Sequence, residues 1–192
     1  MADLDSFAID EFRNRWHKKT NNPAILEMTD QQLLEDSKLS IDGELTVAAL
    51  ILLGTRKALG VHLPQCEVIM EYRSMEGQIA ASQRHEFRQG FLLFHDELWN
   101  SINIRNEVVS VRDGLFRSDI PTFNEDAVRE AVLNAICHRD YRIGGSVFVR
   151  QFPRRLEISS PGGFPEGITP DNILRKQSPR NRRLAEACSK CG

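Results

Sequence analysis

The sequence predicts an α/β chain of the α+β type, with its main domain preceded by a smaller helical and mixed subdomain. Three observations carry this. Glu130, Asn134 and His138 recur every four residues on a stretch whose Val128, Ala131, Val132, Leu133, Ala135 and Ile136 are apolar, which is helical spacing. Ser146 to Arg150 and Arg155 to Ser159 alternate as two strands do, around a tight turn at Phe152-Pro153-Arg154. Leu45 to Leu59 is apolar almost throughout and reads as a buried helix.

The other elements follow in chain order. Phe7, Ile9, Phe12 and Trp16 stand at near-helical spacing, and Ile25, Leu26, Leu33, Leu34 and Leu39 form a second apolar group. Thr29-Asp30 ahead of Gln31-Gln32-Leu33 has the form of a helix start. Ile41-Asp42-Gly43-Glu44 is a turn, and Cys66 to Tyr72 predicts a strand. Phe91 to Ile104 predicts an amphipathic helix whose Phe91, Phe94, Leu98, Trp99 and Ile102 belong to the core. Val108 to Val111 and Gly114 to Phe116 predict a hairpin around Arg112-Asp113-Gly114. Asn124 is the expected cap of the next helix, with Glu125 and Asp126 in its first turn, where the helix dipole favours carboxylates. After the paired strands come the glycine loop Ser160 to Gly167, a helical turn over 169–174 and a last helix holding Leu184, Ala185 and Ala187. The expected division is 1–40 as N-terminal helices or linker, 41–118 as a mixed lead-in and 119–192 as the main domain, with the clearest boundary between 105 and 122.

A chain of 192 residues with 41% hydrophobic content can bury one good core, or one core and a smaller helical subdomain. Its 25 basic and 27 acidic residues nearly cancel, which argues against a chain whose main business is coating nucleic acid by charge. No stretch approaches a membrane span, and Asp3, Asp5 and Asp10 stand where a signal peptide carries positive charge. A cytoplasmic location and no membrane partner are expected. The helical pattern still runs at Gly192, so the chain is expected to be a piece of a longer protein. Cysteines 66, 137, 188 and 191 are too few and too unevenly placed for a disulfide framework. Cys188 and Cys191 have the gap of a zinc or redox pair but no second pair, and at helical spacing they belong to the apolar side of the last helix.

A carboxylate, an amide and an imidazole stacked on one side of an apolar helix are either a site or a satisfied structural network, set amid hydrophobic surroundings rather than on a fully solvated face. In the structural reading Glu130 is a half-exposed helix residue, Asn134 bridges to a neighbouring loop, and His138 organises the Arg139-Asp140-Tyr141 turn. Ser160-Pro161-Gly162-Gly163 reads from its own residues as a turn that ends a strand. Arg175, Lys176, Arg180, Arg182 and Arg183 form the densest basic cluster, matching a phosphate or DNA contact or a solvated helix start. The solvated face is favoured, because no aromatic residue interleaves with these charges.

Helix, strand, return strand and glycine loop, in that order, resemble the nucleotide pocket of the GHKL ATPases. Glu130-Ala131-Val132-Leu133-Asn134 is similar to that group's N-box, and Leu156 to Gly163 is similar to its first glycine box. Glu130 to Tyr141, Ile158 to Thr169 and Ser178-Pro179-Arg180-Asn181 resemble more closely the RecG-C-terminal-like domain of bacterial transcriptional regulators, over residues 30–192. Those proteins carry a Schlafen-type AlbA domain before this region and a winged helix-turn-helix after it.

The resemblance implies ATP and Mg²⁺ as cofactors, Asn134 as the Mg²⁺ ligand and Glu130 as the catalytic base that prepares a water for the γ-phosphate. It implies that Gly162 and Gly163 let backbone approach the nucleotide, and it puts Ser159 where the family's adenine-reading aspartate stands. It implies a GHKL-like sandwich acting as a ligand-sensing or oligomerising module of a DNA-binding regulator, itself a homo-oligomer, with DNA contacted mainly outside this chain. Two alternatives stand beside it: a slow Mg²⁺-dependent ATPase, or a structural dimerisation domain using the surface of Leu45 to Leu59 or of the Phe91 to Ile104 helix. A helicase motor is not expected, since no GKT/S phosphate loop is present.

Overall fold

A computed structural model describes residues 2–165, 167–172, 175 and 178–192. Helix α1 (Ser6–Thr20) starts because the Asp5 carboxylate accepts from the Phe7 and Ala8 N–H groups, and it stops at Asn21, whose φ of 51° is left-handed. After α2 (Ala24–Glu27), α3 (Asp30–Asp36) opens on a reciprocal cap between Thr29 and Gln32. Strands β1 (Ser40–Ile41) and β2 (Glu44–Leu45) make a small antiparallel ribbon.

The apolar run expected as one helix over 45–59 is two helices, α4 (Val47–Leu53) and α5 (Arg56–His62). Gly54 turns to extended backbone between them, where a Cβ would lie 2.4 Å from the Leu50 carbonyl oxygen, and its own carbonyl accepts from Gly90 N–H at 2.8 Å. Thr46 and Thr55 then cap the two helices. Strands β3 (Val68–Tyr72) and β4 (Gln83–Phe87) follow, the second of them not foreseen. The stretch expected as a helix over 91–104 is a 3₁₀ turn, Phe91–Leu93, leading into α6 (His95–Asn103). Strands β5 (Val108–Asp113) and β6 (Phe116–Pro121) form the expected hairpin, extended beyond its expected ends. Helix α7 (Glu125–His138), strands β7 (Val147–Gln151) and β8 (Leu156–Ser159), and helix α8 (Arg182–Cys191) complete the chain. The helical turn expected over 169–174 runs onto Ile173 and Leu174, which lie outside the described residues.

The fold is α+β, as expected. Its main sheet has the order β4-β3-β7-β8, with β3 parallel to β7 and the outer pairs antiparallel. This sheet draws on both sides of residue 118. Register puts Val68, Met70, Val147, Val149 and Ile158 on one face, against Val128, Val132 and Ile136 of α7. On the other face the buried Glu71 carboxylate accepts from Arg73, Arg84 and Arg150 at 3.1, 3.2 and 3.2 Å, so those arginines are balanced within the sheet.

The core is one cluster running from Leu4 through Phe12, Leu52, Leu98 and Val149 to Leu184 and Ala187. Helix α8 packs on α1, α4 and α7. Within the two stretches named for a dimer surface, Ala49, Leu52, Leu53 and Leu59 of the first and Leu98 and Ile102 of the second are buried inside the chain. Among the described residues no helix is long and apolar enough to cross a membrane.

Candidate functional site

Helix α7 begins where the Asn124 side chain accepts from Ala127 N–H at 3.0 Å. Its apolar stripe of Val128, Val132, Ala135 and Ile136 faces the sheet and core. Glu130 and Asn134 therefore fall on the opposite, exposed side, where the Asn134 amide donates to Glu130 Oε1 at 3.0 Å. Spacing had placed them amid apolar surroundings; instead they form an open pair. His138 sits half-buried in the last turn.

The C-terminus of α7 is the most heavily bonded place in this region. Arg180 donates through Nε to the His138 carbonyl at 3.2 Å, through Nη1 to Asp140 Oδ2 at 3.2 Å and through Nη2 to the Gly163 carbonyl at 2.7 Å. Asn181 donates from its side chain to the Cys137 and Arg139 carbonyls at 2.9 and 2.7 Å. Free carbonyls at a helix end attract such donors, and a guanidinium adds favourable charge. Arg180 is thus a clamp between helix and glycine loop rather than a solvated helix-start residue. Arg182 pairs with Glu186 at 2.8 Å one turn on, and Arg183 is exposed. Lys176 and Glu166 lie outside the described residues.

Asp140 is the hub. Its carboxylate accepts from the Arg142 backbone at 3.0 Å and from the Arg142 guanidinium at 2.9 and 2.8 Å. These bonds, with the nearby charges of Arg142 and Arg180, hold its pKa well below the ordinary carboxylate range. Arg139, wholly buried, stacks on Tyr141 and donates to the carbonyls of Asp140, Ile143 and Gly145, which shapes the connection to β7. Sequence reasoning treated this turn as an accompaniment to His138. The signal it passed over was an arginine and an aspartate directly after a helix end, with Pro179-Arg180-Asn181 to answer them.

The glycine loop divides into two roles. Gly162 has φ +119°, and a Cβ there would lie 3.1 Å from Asp140 Cβ and 3.3 Å from Asp140 N, so this glycine serves the fold. A Cβ on Gly163 would meet nothing within 4 Å among the described residues, so packing does not require a glycine there. Ser159 pairs with Phe148, whereas Ile158 and Val149 turn to the core; Ser159 therefore lies on the sheet face away from α7. The structure brings Glu130 to Asn134, and Gly162 and Gly163 to Arg180, but it does not turn Ser159 toward either group.

For a Mg²⁺-nucleotide the two ends fit differently. A hard cation takes oxygen donors and keeps water or phosphate oxygens for the rest, which an exposed amide beside a carboxylate suits. The described residues offer no adenine-reading group at Ser159. An apolar cavity lined by Leu92, Trp99, Val128, Val132 and Cys188 lies elsewhere on α7 and includes neither Glu130 nor Asn134. Among the described residues no cluster of three or more His, Cys, Asp or Glu could hold a metal by itself. Burial pushes the Cys66 and Cys191 thiols up to about 12; Cys188 is buried 3.9 Å from Cys137, sulfur to sulfur, and Cys191 is half-buried against the core.

Comparison with known proteins agrees with part of this. Residues 144–192, spanning β7, β8, the glycine loop and α8, match the family described as "Putative ATP-dependent DNA helicase recG C-terminal". The RecG-C-terminal resemblance is thus borne out over that stretch. Residues 1–69 match a domain of unknown function, DUF8451, and neither match is to a Schlafen-type AlbA domain. Glu130 and Asn134 lie between the two matched stretches. The solved DIP2311 protein from Corynebacterium diphtheriae is 27% identical, with a TM-score of 0.80 over 100% of this chain; the chain spans 37% of that one. No curated protein matches.

Proposed function

We propose that this chain is a ligand-sensing module of a longer, DNA-associated regulator, and that it takes the Mg²⁺-bound phosphates of ATP at the exposed Glu130–Asn134 pair. The observation that carries this is the 3.0 Å bond holding that amide and carboxylate side by side on an open helix face. The RecG-C-terminal match supports it, as does the open backbone at Gly163. Asn134 supplies an oxygen to the cation, and Arg180 relays the state of the glycine loop to the end of α7 and the start of α8. DNA contact, transcriptional control and a cytoplasmic setting belong to the longer protein in this reading.

Calorimetric titration with ATP and ADP, with and without Mg²⁺, tests it against Asn134→Ala. Saturable binding that requires Mg²⁺ and is lost in the variant is expected; no heat with either nucleotide would overturn the reading. Hydrolysis with Glu130 as base is the weaker form. Glu130 is exposed, and described protein does not wall it from water. Turnover that persists in Glu130→Ala would remove that form alone.

A further inference from the structure

The β5–β6 ribbon pairs with no strand of the main sheet, and its register sorts its side chains onto two unlike faces. One carries Ser110, Arg112, Arg117 and Asp119, with Val108 and Pro121 at its base. Its polar groups answer one another: the Ser110 hydroxyl bonds Asp119, while Arg117 donates to Ser110 at 2.6 Å and to Asp119 at 3.4 Å. The other face carries Val109, Val111, Phe116 and Ile120, exposed by 57, 46, 79 and 53%. Leu115, in the two-residue turn, is fully exposed. Ser118 completes this row, and Asp113 holds its last register position beside the turn.

The ribbon is amphipathic, yet among the described residues its apolar face covers nothing. It is also held firmly at its base. The Asn106 side chain donates to the Phe123 carbonyl and accepts from the Phe123 N–H, both at 2.8 Å, and Thr122 N–H reaches the Glu107 carbonyl at 2.8 Å. An isolated two-stranded ribbon is marginal in water, and an apolar patch of this kind marks a contact surface.

We propose that two copies of this chain pair face to face through this row, stacking Val109, Val111, Phe116 and Ile120 of one ribbon on those of the other, with Leu115 at the rim. Apart from Asp113, at the register position opposite Phe116, the row has no ionisable residue, so it offers a charged partner little to answer, whereas a second, mainly apolar row matches it under two-fold symmetry. Stacked ribbons sit about 10 Å apart, a distance that side chains of this size fill. Two such rows bury roughly 1,000 Å² together, the scale at which specific interfaces begin. This interface does not depend on nucleotide.

Sedimentation equilibrium of the chain without nucleotide, over a wide concentration range, tests the proposal. A reversible monomer–dimer equilibrium is expected, weakened about tenfold or more by Phe116→Asp and unchanged by Arg112→Gln on the polar face. Phe116 is exposed in the monomer, so circular dichroism of Phe116→Asp should match the parent and separate lost association from lost fold. A chain that stays monomeric throughout overturns the proposal and leaves the row to another segment or partner. A dimer indifferent to Phe116→Asp overturns it as well, by placing the contact elsewhere.

Discussion

The Arg180 guanidinium meets the Asp140 carboxylate at 3.2 Å while its other nitrogens hold the carbonyls of His138 and Gly163, 42 and 17 residues away along the chain. One side chain thereby ties a helix end, a turn and the glycine loop. Arg180→Ala strands two carbonyls and is expected to cost about 2 kcal/mol in urea unfolding. Arg180→Lys should recover part of this, because a lysine keeps the charge but not the three directions of the fork.

Asp140 makes a prediction about acid. Its pKa is lowered on folding, so the associated stability is present above the unfolded value and is lost as pH falls through the folded one. Urea midpoints of the parent should hold from neutrality to about pH 4, the ordinary aspartate range, and drop on further acidification. Asp140→Asn should be less stable at neutral pH and lose less in acid. Parallel pH profiles for the two proteins would show that Asp140 does not carry this linkage.

The two adjacent glycines should respond oppositely. Gly162→Ala forces a Cβ against Asp140 at a left-handed φ and is expected to lower stability by about 1–3 kcal/mol. Gly163→Ala meets open space and should leave thermal stability unchanged while weakening any Mg²⁺-nucleotide binding. A Gly163→Ala protein that binds ATP normally would remove this loop from the ligand's surroundings.

Leu184 tests whether α8 belongs to the common core. It is 1% exposed in a cluster shared with α1 and α4. Leu184→Ala should cost about 3 kcal/mol in global unfolding, as buried leucine truncations do. A loss confined to local fraying of α8, seen as fast amide exchange there with an unchanged midpoint, would contradict it.

The elements legible in the sequence are those with a local cause. Asn124 ahead of two acids starts α7, Gly114 allows the hairpin turn at φ +60°, and alternation marks β7 and β8. Strand β4 has no such mark. Gln83 to Glu86 are exposed and polar, and the strand is ordered by its bonds to β3 and by Arg84 reaching Glu71. The break at Gly54 is masked because apolar character says what is buried, not whether the helix is continuous. Spacing showed that Glu130 and Asn134 share a side of α7. Which side depended on the sheet and core, which lie far off in sequence. Arg180 was read as solvated for a similar reason: its acceptors come from segments that nothing nearby identifies.

Pairing β3 with β7 in parallel, Val68 beside Val147, joins strands separated by most of the middle of the chain. A parallel neighbour cannot be reached by a tight turn, so closing this sheet carries a long-loop entropy and belongs late in folding. On the ribosome, β3 and β4 would emerge well before their partner and wait as an open-edged pair with Val68 and Met70 uncovered. Until Gln151 leaves the exit tunnel that strand edge stays unpaired, and slow translation between residues 88 and 146 would prolong the exposure.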